Sequence, residues 1–297
     1  MSDFRLEVFY TVAKRLSFTK AAAELFITQP AVTKHINELE GEYKVKLFER
    51  KGNRINLTQA GVLLLGHAEN VLQLYKGIAF DLNALNQRKE GLLRLGASTT
   101  VSQYIVAPLL AKFRNKFPDV QLSLITGNTE QVEKALIAKD IEIGIIEGYS
   151  KNTEISYQPF LNDELVLVCG NSHPLANKDS LKLDGLKAIR FVMREQGSGT
   201  LEVIEHALKA AGLNLPGLQV EIRLGSTESI KSYLLHSNCL AFLSIHSILK
   251  ELKNNECRII DIKGLSISRP FHFIQLYGQP SPLAELFIRF ARNYKAD

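Results

Sequence analysis

Apolar positions recur at helical spacing through the first forty residues. Phe4, Leu6, Val8, Phe9, Val12, Ala13 and Leu16 lie on one period and predict a first helix. Ser17 and Thr19 can cap a second, through Ala21-Ala22-Ala23-Glu24-Leu25-Phe26, where alanines allow close helix contact. Ile27-Thr28-Gln29-Pro30 then breaks the pattern. Pro30 suits the first turn of a third helix, where its missing N–H would be unpaired anyway. Ala31, Val32, Ile36 and Leu39 form the inward stripe of that helix. Leu47-Phe48 follows, and Lys51-Gly52-Asn53-Arg54 has turn chemistry between two short stretches of strand character. Three helices and a tight hairpin describe a winged helix-turn-helix, expected over residues 1–58.

Thr58-Gln59 opens a longer helix, expected over 59–90 with its linker. Leu64, Ala68, Val71, Tyr75, Ile78, Leu82 and Leu85 follow an alternating four-three spacing, a heptad seam. Such a seam either packs on its own domain or pairs with a second helix, and its regularity favours pairing, although Gly61, Gly66 and Gly77 weaken the helix. From Leu92 the rhythm turns to α/β. LLRLGAS, Val120–Thr126 and IEIGII read as strands, with helices at Val106–Phe117 and Glu130–Ala138. A second set runs through Leu165–Val168, IRFVM, the helix Leu201–Ala211, LQVEIRL, the helix Ile230–His236 and the strand Leu240–Ser244. PFHFIQLY and the helix Leu283–Tyr294 can return to the first sheet. This predicts α/β architecture over 91–297, a mostly parallel, doubly wound sheet in two lobes, about 91–163 with 268–297 and about 164–267.

Composition narrows the setting. A 45% hydrophobic chain of 297 residues can bury a large core. No apolar run approaches the ~20 residues that span a bilayer, and MSDFRLEVFY lacks the order of a signal peptide. Three scattered cysteines, Cys169, Cys239 and Cys257, suit a reducing compartment, so a cytoplasmic location and no membrane partner are expected. The net charge of +5 divides as 13 Lys and Arg against 10 Asp and Glu in residues 1–90, and 23 against 21 beyond. That mild excess does not by itself establish a nucleic-acid partner.

The third helix carries sharper chemistry. Gln29 can pair bidentately with adenine, and Pro30 and Ala31 can meet a thymine methyl. Thr28, Thr33 and Lys34 suit base or phosphate contact, Arg50 the backbone, and Arg54 at the wing tip a minor groove or its phosphates. Ordinary capping accounts for any one of these hydroxyls; the ordered set favours double-stranded DNA. Farther on, Ser98-Thr99-Thr100, Gly127-Asn128-Thr129, Glu147-Gly148 and Gly197-Ser198-Gly199-Thr200 lie at or just after strand ends, three of them before helices. Hydroxyls and free N–H groups there can receive a small anion.

FRLEVFYTVAKRLSFTKAAAELFITQPAVTKHINELE, followed by LFER-KGNRINLTQAG, resembles the DNA-binding region of LysR-type transcriptional regulators. The order of the remaining parts resembles that family along the whole chain, and NSHPLA resembles a segment common in its second lobe. Thr28 and Thr33 stand where serine is usual, and Tyr43-Lys44 where Leu-Gly is frequent. The resemblance implies an N-terminal winged module, a long linker helix and two Rossmann-like subdomains of periplasmic-binding-protein type II. It implies DNA contacts from Ser17, Thr19, Thr28, Gln29, Pro30, Ala31, Thr33, Lys34, Arg50, Arg54 and Thr58. GASTTVSQY, GNT, IIEG and REQGSGT resemble the branch that regulates carbon-fixation and sulfur-assimilation genes. That implies a small anionic effector between the lobes, with Ser98, Thr99, Thr100, Gln103, Asn128, Thr129, Glu147, Gly148, Ser198, Gly199 and Thr200 as candidate contacts. A homodimer or homotetramer on operator DNA is expected, with RNA polymerase as a further partner.

Enzyme readings find little support. GSGTLE lacks the last glycine of a dinucleotide fingerprint, and no Gly-Lys-Ser/Thr occurs. Ser98 and Ser198 lack a nucleophile elbow. His236, Cys239 and His246 come nearest to metal spacing but lack paired ligands, so neither metal nor cofactor is expected. A solute-binding protein with an unrelated N-terminal extension is the other rival.

Overall fold

The breaks in the apolar pattern are set by side-chain caps in a computed structural model of the chain. Residues 3–51, 54–85, 89–149, 151–278 and 281–293 are described, without the side chains of 50, 51, 54, 73, 76, 79–81 and 83–85. The chain divides into two units, Met1–Arg88 and Lys89–Asp297.

In the first unit, helix α1 (Phe4–Arg15) starts at Asp3, whose carboxylate accepts from the Arg5 N–H, and ends with Leu16 in the left-handed region. Ser17 caps α2 (Phe18–Glu24) by accepting from Lys20 N. Thr28 caps α3 (Gln29–Tyr43) by accepting from Ala31 N at 3.4 Å, with Pro30 in the first turn. Strands β1 (Phe48–Lys51) and β2 (Arg54–Leu57) pair antiparallel as the wing. Val8, Phe9, Val12, Ala21, Val32, Ile36, Leu39 and Leu47 make the core.

Helix α4 (Gln59–Leu85) corrects one reading of the heptad. Ala68 is fully buried and Leu64 packs on the same core, so the first two seam positions belong to the module itself. Val71, Tyr75, Ile78 and Leu82 are exposed; the Leu85 side chain lies outside the described residues. Among the described residues no helix is long and apolar enough to cross a membrane.

The second unit is built on one mixed sheet. Strand β3 (Gly91–Ser98) leads directly into a helical run, starting seven residues before the expected Val106. That run comprises α5 (Thr99–Val101), a π-helical turn (Ser102–Val106) and α6 (Ala107–Lys116). Pro108 at the start of α6 cannot donate to the preceding turn, which accounts for the local change of winding. Then come β4 (Val120–Gly127), α7 (Thr129–Ile137), β5 (Ile143–Glu147) and β6 (Ile155–Gly170). They are followed by β7 (Ser180–Lys182), β8 (Arg190–Arg194), α8 (Gly199–Ala210), β9 (Gln219–Leu224) and α9 (Thr227–Leu235). The chain continues with β10 (Leu240–Ser244), α10 (Ile245–Lys253), β11 (Cys257–Lys263), β12 (Ile267–Leu276) and α11 (Pro282–Arg292).

The main strand order is β4-β3-β5-β12-β6-β10-β8-β9, with β11 on β6 and β7. β3 pairs parallel with β4 and β5, and β8 with β9 and β10, as expected from the β-α alternation. β6 and β12 are antiparallel throughout, so the sheet is less parallel than the sequence suggested. β12 does return to the first set, pairing with β5 over Phe271–Ile274. Beyond Leu165 β6 gains β10 instead, and these two long strands carry the chain between the halves of the sheet.

Candidate functional site

Two places gather the residues singled out by sequence. The first is the outer face of α3. Val32, Ile36 and Leu39 are buried, while Gln29, Pro30 and Lys34 are exposed and Ala31 and Thr33 half-buried. Gln29, Pro30, Thr33, Lys34, Asn37 and Glu38 line one shallow concavity of about 630 Å³. Gln29 Nε2 donates to Thr33 Oγ1 at 3.0 Å, and Thr33 donates to the Gln29 carbonyl, so the Gln29 amide is held along the helix. Asn37 was missed by the sequence reading; its i+8 position from Gln29 on one helix face was the available signal.

Other expected contacts have internal work. Ser17 and Thr28 are helix caps, while Thr19 is exposed. Thr58 Oγ1 donates to the Lys46 carbonyl at 2.6 Å and accepts from Gly61 N, tying the start of α4 to the turn before β1. His35, on α3, packs edge-on against Phe4, with ring centroids 5.4 Å apart. The side chains of Arg50 and Arg54 lie outside the described residues. Glu40, which carried no sequence expectation, is buried and accepts from Leu47 N and Phe48 N while pairing with Lys46, fixing the wing to α3.

The second place lies within the sheet unit. The four expected stretches meet there. Ser98 Oγ and Thr200 Oγ1 both donate to the Glu147 carboxylate, Thr200 at 3.0 Å. Thr129 Oγ1 donates to the Glu147 carbonyl at 2.8 Å. Thr100 pairs with Thr227 across 3.0 Å, and Asn128, which caps α7, also donates to Gln196 O. A Cβ on Gly199 would stand 2.0 Å from the Glu147 carbonyl oxygen, so only glycine allows this approach. Gly148, at φ +122°, has the Gly199 Cα 3.1 Å from where its own Cβ would be. Gln103 alone among the candidates is exposed. Ser98, Thr100, Thr129 and Thr200 are buried and already bonded, which sequence could not show.

Beneath them sits a buried charge network. Arg269 on β12 donates to Asp163 through Nε at 2.8 Å and to Thr200 Oγ1 through Nη1 at 2.8 Å. Its Nη2 lies 2.8 Å from Asp163 Oδ2, and Glu147 is 3.7 Å from Nη1. Ser244 donates to the other Asp163 oxygen at 2.7 Å. Arg194 ends β8, 2% exposed, and donates to Thr99 Oγ1 and to both oxygens of Glu195. Burial works to raise the Glu195 carboxyl, but the hydrogen bonds and charge of Arg194 outweigh it and hold the group below its ordinary value. Nearby, Tyr104 donates to Glu228, while Lys231 pairs with Glu228 and Glu251. Burial and the Glu228 bond raise the Tyr104 phenol well above its ordinary range. Arg194, Asp163, Arg269 and Thr227 were not among the sequence candidates. A charged residue ending the apolar run IRFVM was the one signal for Arg194.

The three cysteines are buried and unpaired by disulfide, and burial raises each thiol, Cys257 to about 11, which disfavours the reactive thiolate.

Two family models match the chain: the bacterial regulatory helix-turn-helix protein, lysR family, over residues 4–62, and the LysR substrate binding domain over 86–296. The HTH-type transcriptional regulator CysL of Bacillus subtilis is 32% identical over 280 residues, 94% of this chain and 91% of that protein. A probable RuBisCO transcriptional regulator of Cyanidioschyzon merolae is 32% identical over 281 residues, with coverage of 94% and 91%. The CcmR regulatory domain of Synechocystis, solved in complex with 2-PG, is 30% identical with a TM-score of 0.62, covering 68% of this chain and 96% of that one. The chain belongs to the LysR family of transcriptional regulators, with a helix-turn-helix module and an effector-binding domain.

Proposed function

We propose that this regulator reads operator DNA with the outer face of α3 and answers to a small effector held where the four loops of the sheet unit meet. The observation that carries the first half is the α3 face itself: Gln29, Pro30, Thr33 and Lys34 stand together outside a helix whose opposite stripe is buried. A helix seated in a major groove needs that division between anchored and presented side chains. Arg50 and Arg54 on the wing supply phosphate contacts in this reading, and Lys34 a third.

The remaining roles follow the same scheme. Residues 1–58 bind DNA, 59–90 oligomerise, and 91–297 bind effector, with lobes at about 91–163 plus 268–297 and about 164–267. Val71, Tyr75, Ile78 and Leu82, exposed along α4, form the pairing seam of a homodimer, which doubles to a homotetramer on paired half-sites. The protein works in the cytoplasm, catalyses no reaction, and engages RNA polymerase at its promoters.

The test is a gel-shift titration of the full chain on operator fragments recovered by genomic footprinting. Gln29→Ala should cost about 1–3 kcal/mol on the specific site and little on random duplex. Equal losses on both would remove Gln29 from base reading, and a chain that binds no duplex would refute the proposal.

A further inference from the structure

The two halves of the sheet unit meet along a pair of helix faces. Thr100 and Tyr104 lie four residues apart on the helical run after β3, and Thr227 and Lys231 four apart on α9. Residues at that spacing share a helix face. Thr100 pairs with Thr227 across 3.0 Å, and one turn farther along Tyr104 Oη donates to the Glu228 carboxylate. Lys231 Nζ stands 5.3 Å from the centroid of the Tyr104 ring, within cation–π range. Tyr104 belongs to the π-helical turn Ser102–Val106, a rare winding that recurs at functional sites.

The charges on the α9 side are satisfied without Tyr104. Lys231 is buried, and its three N–H donors find three acceptors in its own half: Ser247 O at 2.9 Å, Glu228 at 2.8 Å and Glu251 at 2.7 Å. What crosses to Tyr104 is its hydroxyl bond and the ring–cation contact. Glu228 is exposed and Tyr104 half-buried, so water can replace both partners when the faces part. Parting them therefore strands no buried charge, unlike the removal of Arg269 from Asp163. The Arg269 network is a permanent tie; the Tyr104 contact can open and reclose.

Resting on the effector reading above, we infer that Tyr104, Glu228 and Lys231 form a releasable latch that holds the halves of the sheet unit together in the unliganded chain and so sets how often the effector site opens. The latch lies at the water edge of the seam, because Glu228 is exposed while Thr100 and Thr227 beside it are buried. An effector that binds between the halves reaches the loops only in the open form, so every latched molecule lowers its apparent affinity. Tyr104 is a positioning residue, acting through the open fraction rather than through contact with the effector.

Thiol labelling of the full chain with iodoacetamide, read by peptide mass spectrometry, measures the open fraction without any effector. Ser198→Cys supplies the reporter. Ser198 Oγ is buried, has no hydrogen-bond partner among the described residues, and precedes Gly199, which packs on the Glu147 carbonyl of the other half. The native Cys169, Cys239 and Cys257 lie in the cores of the second half and report general unfolding. Tyr104→Phe, which keeps the ring over Lys231, should speed labelling at position 198 about 3- to 30-fold, the loss of one hydrogen bond to a charged, exposed acceptor. Tyr104→Leu, which also removes the ring, should speed it further. Glu228→Ala should match Tyr104→Phe, and the double variant should be no faster than either single, because both remove the same bond. The native thiols should label at the wild-type rate throughout. An unchanged rate at position 198 in Tyr104→Phe, native thiols that quicken in step with it, or rates that multiply in the double variant would overturn the latch. Operator binding is scored separately by gel shift, so the latch can fail while the regulator reading stands.

Discussion

Replacing Arg269 with Met is the most demanding perturbation of the second unit. The side chain is fully buried and is the cation facing two buried carboxylates, Asp163 and Glu147. Its removal leaves Asp163 with the Ser244 bond and strips two contacts at 2.8 Å from one carboxylate oxygen. Glu147 keeps Ser98 and Thr200 as donors, so the main loss falls on Asp163. Breaking a buried pair from one side costs about 3–5 kcal/mol, because the remaining charge is uncompensated. At about 2–4 °C per kcal/mol for a unit of this size, the transition should fall by roughly 6–20 °C. Differential scanning calorimetry of the full chain reads it, since the two units can melt separately. Asp163→Leu added to Arg269→Met should restore most of the loss, because an apolar pair of similar volume carries no desolvation penalty. A single variant that melts within 2 °C of wild type, or a double variant less stable than the single, would refute this account of the network.

Two further outcomes follow from close approach and from burial. Gly199→Ala places a Cβ 2.0 Å from the Glu147 carbonyl, so it should cost about 1–3 kcal/mol and weaken effector binding together; calorimetry that finds both unchanged would mean the two backbones can part freely. Burial lowers the His272 pKa below its ordinary value, so as pH falls through about 6.5 the unfolded chain takes up a proton that the folded chain refuses. Stability should therefore decline from pH 7.5 towards 5.5. His272→Gln should shallow that decline in a pH series of melting temperatures, and an unchanged slope would assign it to other groups, His173 included.

The first unit was largely legible because its determinants are local. Caps at Ser17 and Thr28, the proline after Gln29 and the apolar stripe of α3 act within a few residues, which is the range of a periodic pattern. The α4 seam was legible as a pattern but not as an allocation. Whether Ala68 faces a second helix or its own core depends on where α1 lies against α4, and the module's own core claims it. Strand β6 shows the same limit: only Leu165–Val168 of its sixteen residues read as a strand, because the preceding part is half exposed and held by β12.

The sequence by itself determined the helix-turn-helix, the β-α alternation of the second unit, and the small-residue loops that meet there, while β7, α10 and β11 carried no sequence expectation. Only the tertiary structure decided what those loops do to one another. Ser98 and Thr200 are 49 and 53 residues from Glu147, and Arg269 is 106 from Asp163. No local preference encodes such partners. The need to satisfy a buried charge selects them after the sheet has brought the strand ends together. That is how hydroxyls expected to face a ligand came to serve Glu147, and how Arg194, unmarked in the sequence reading, came to donate to Thr99.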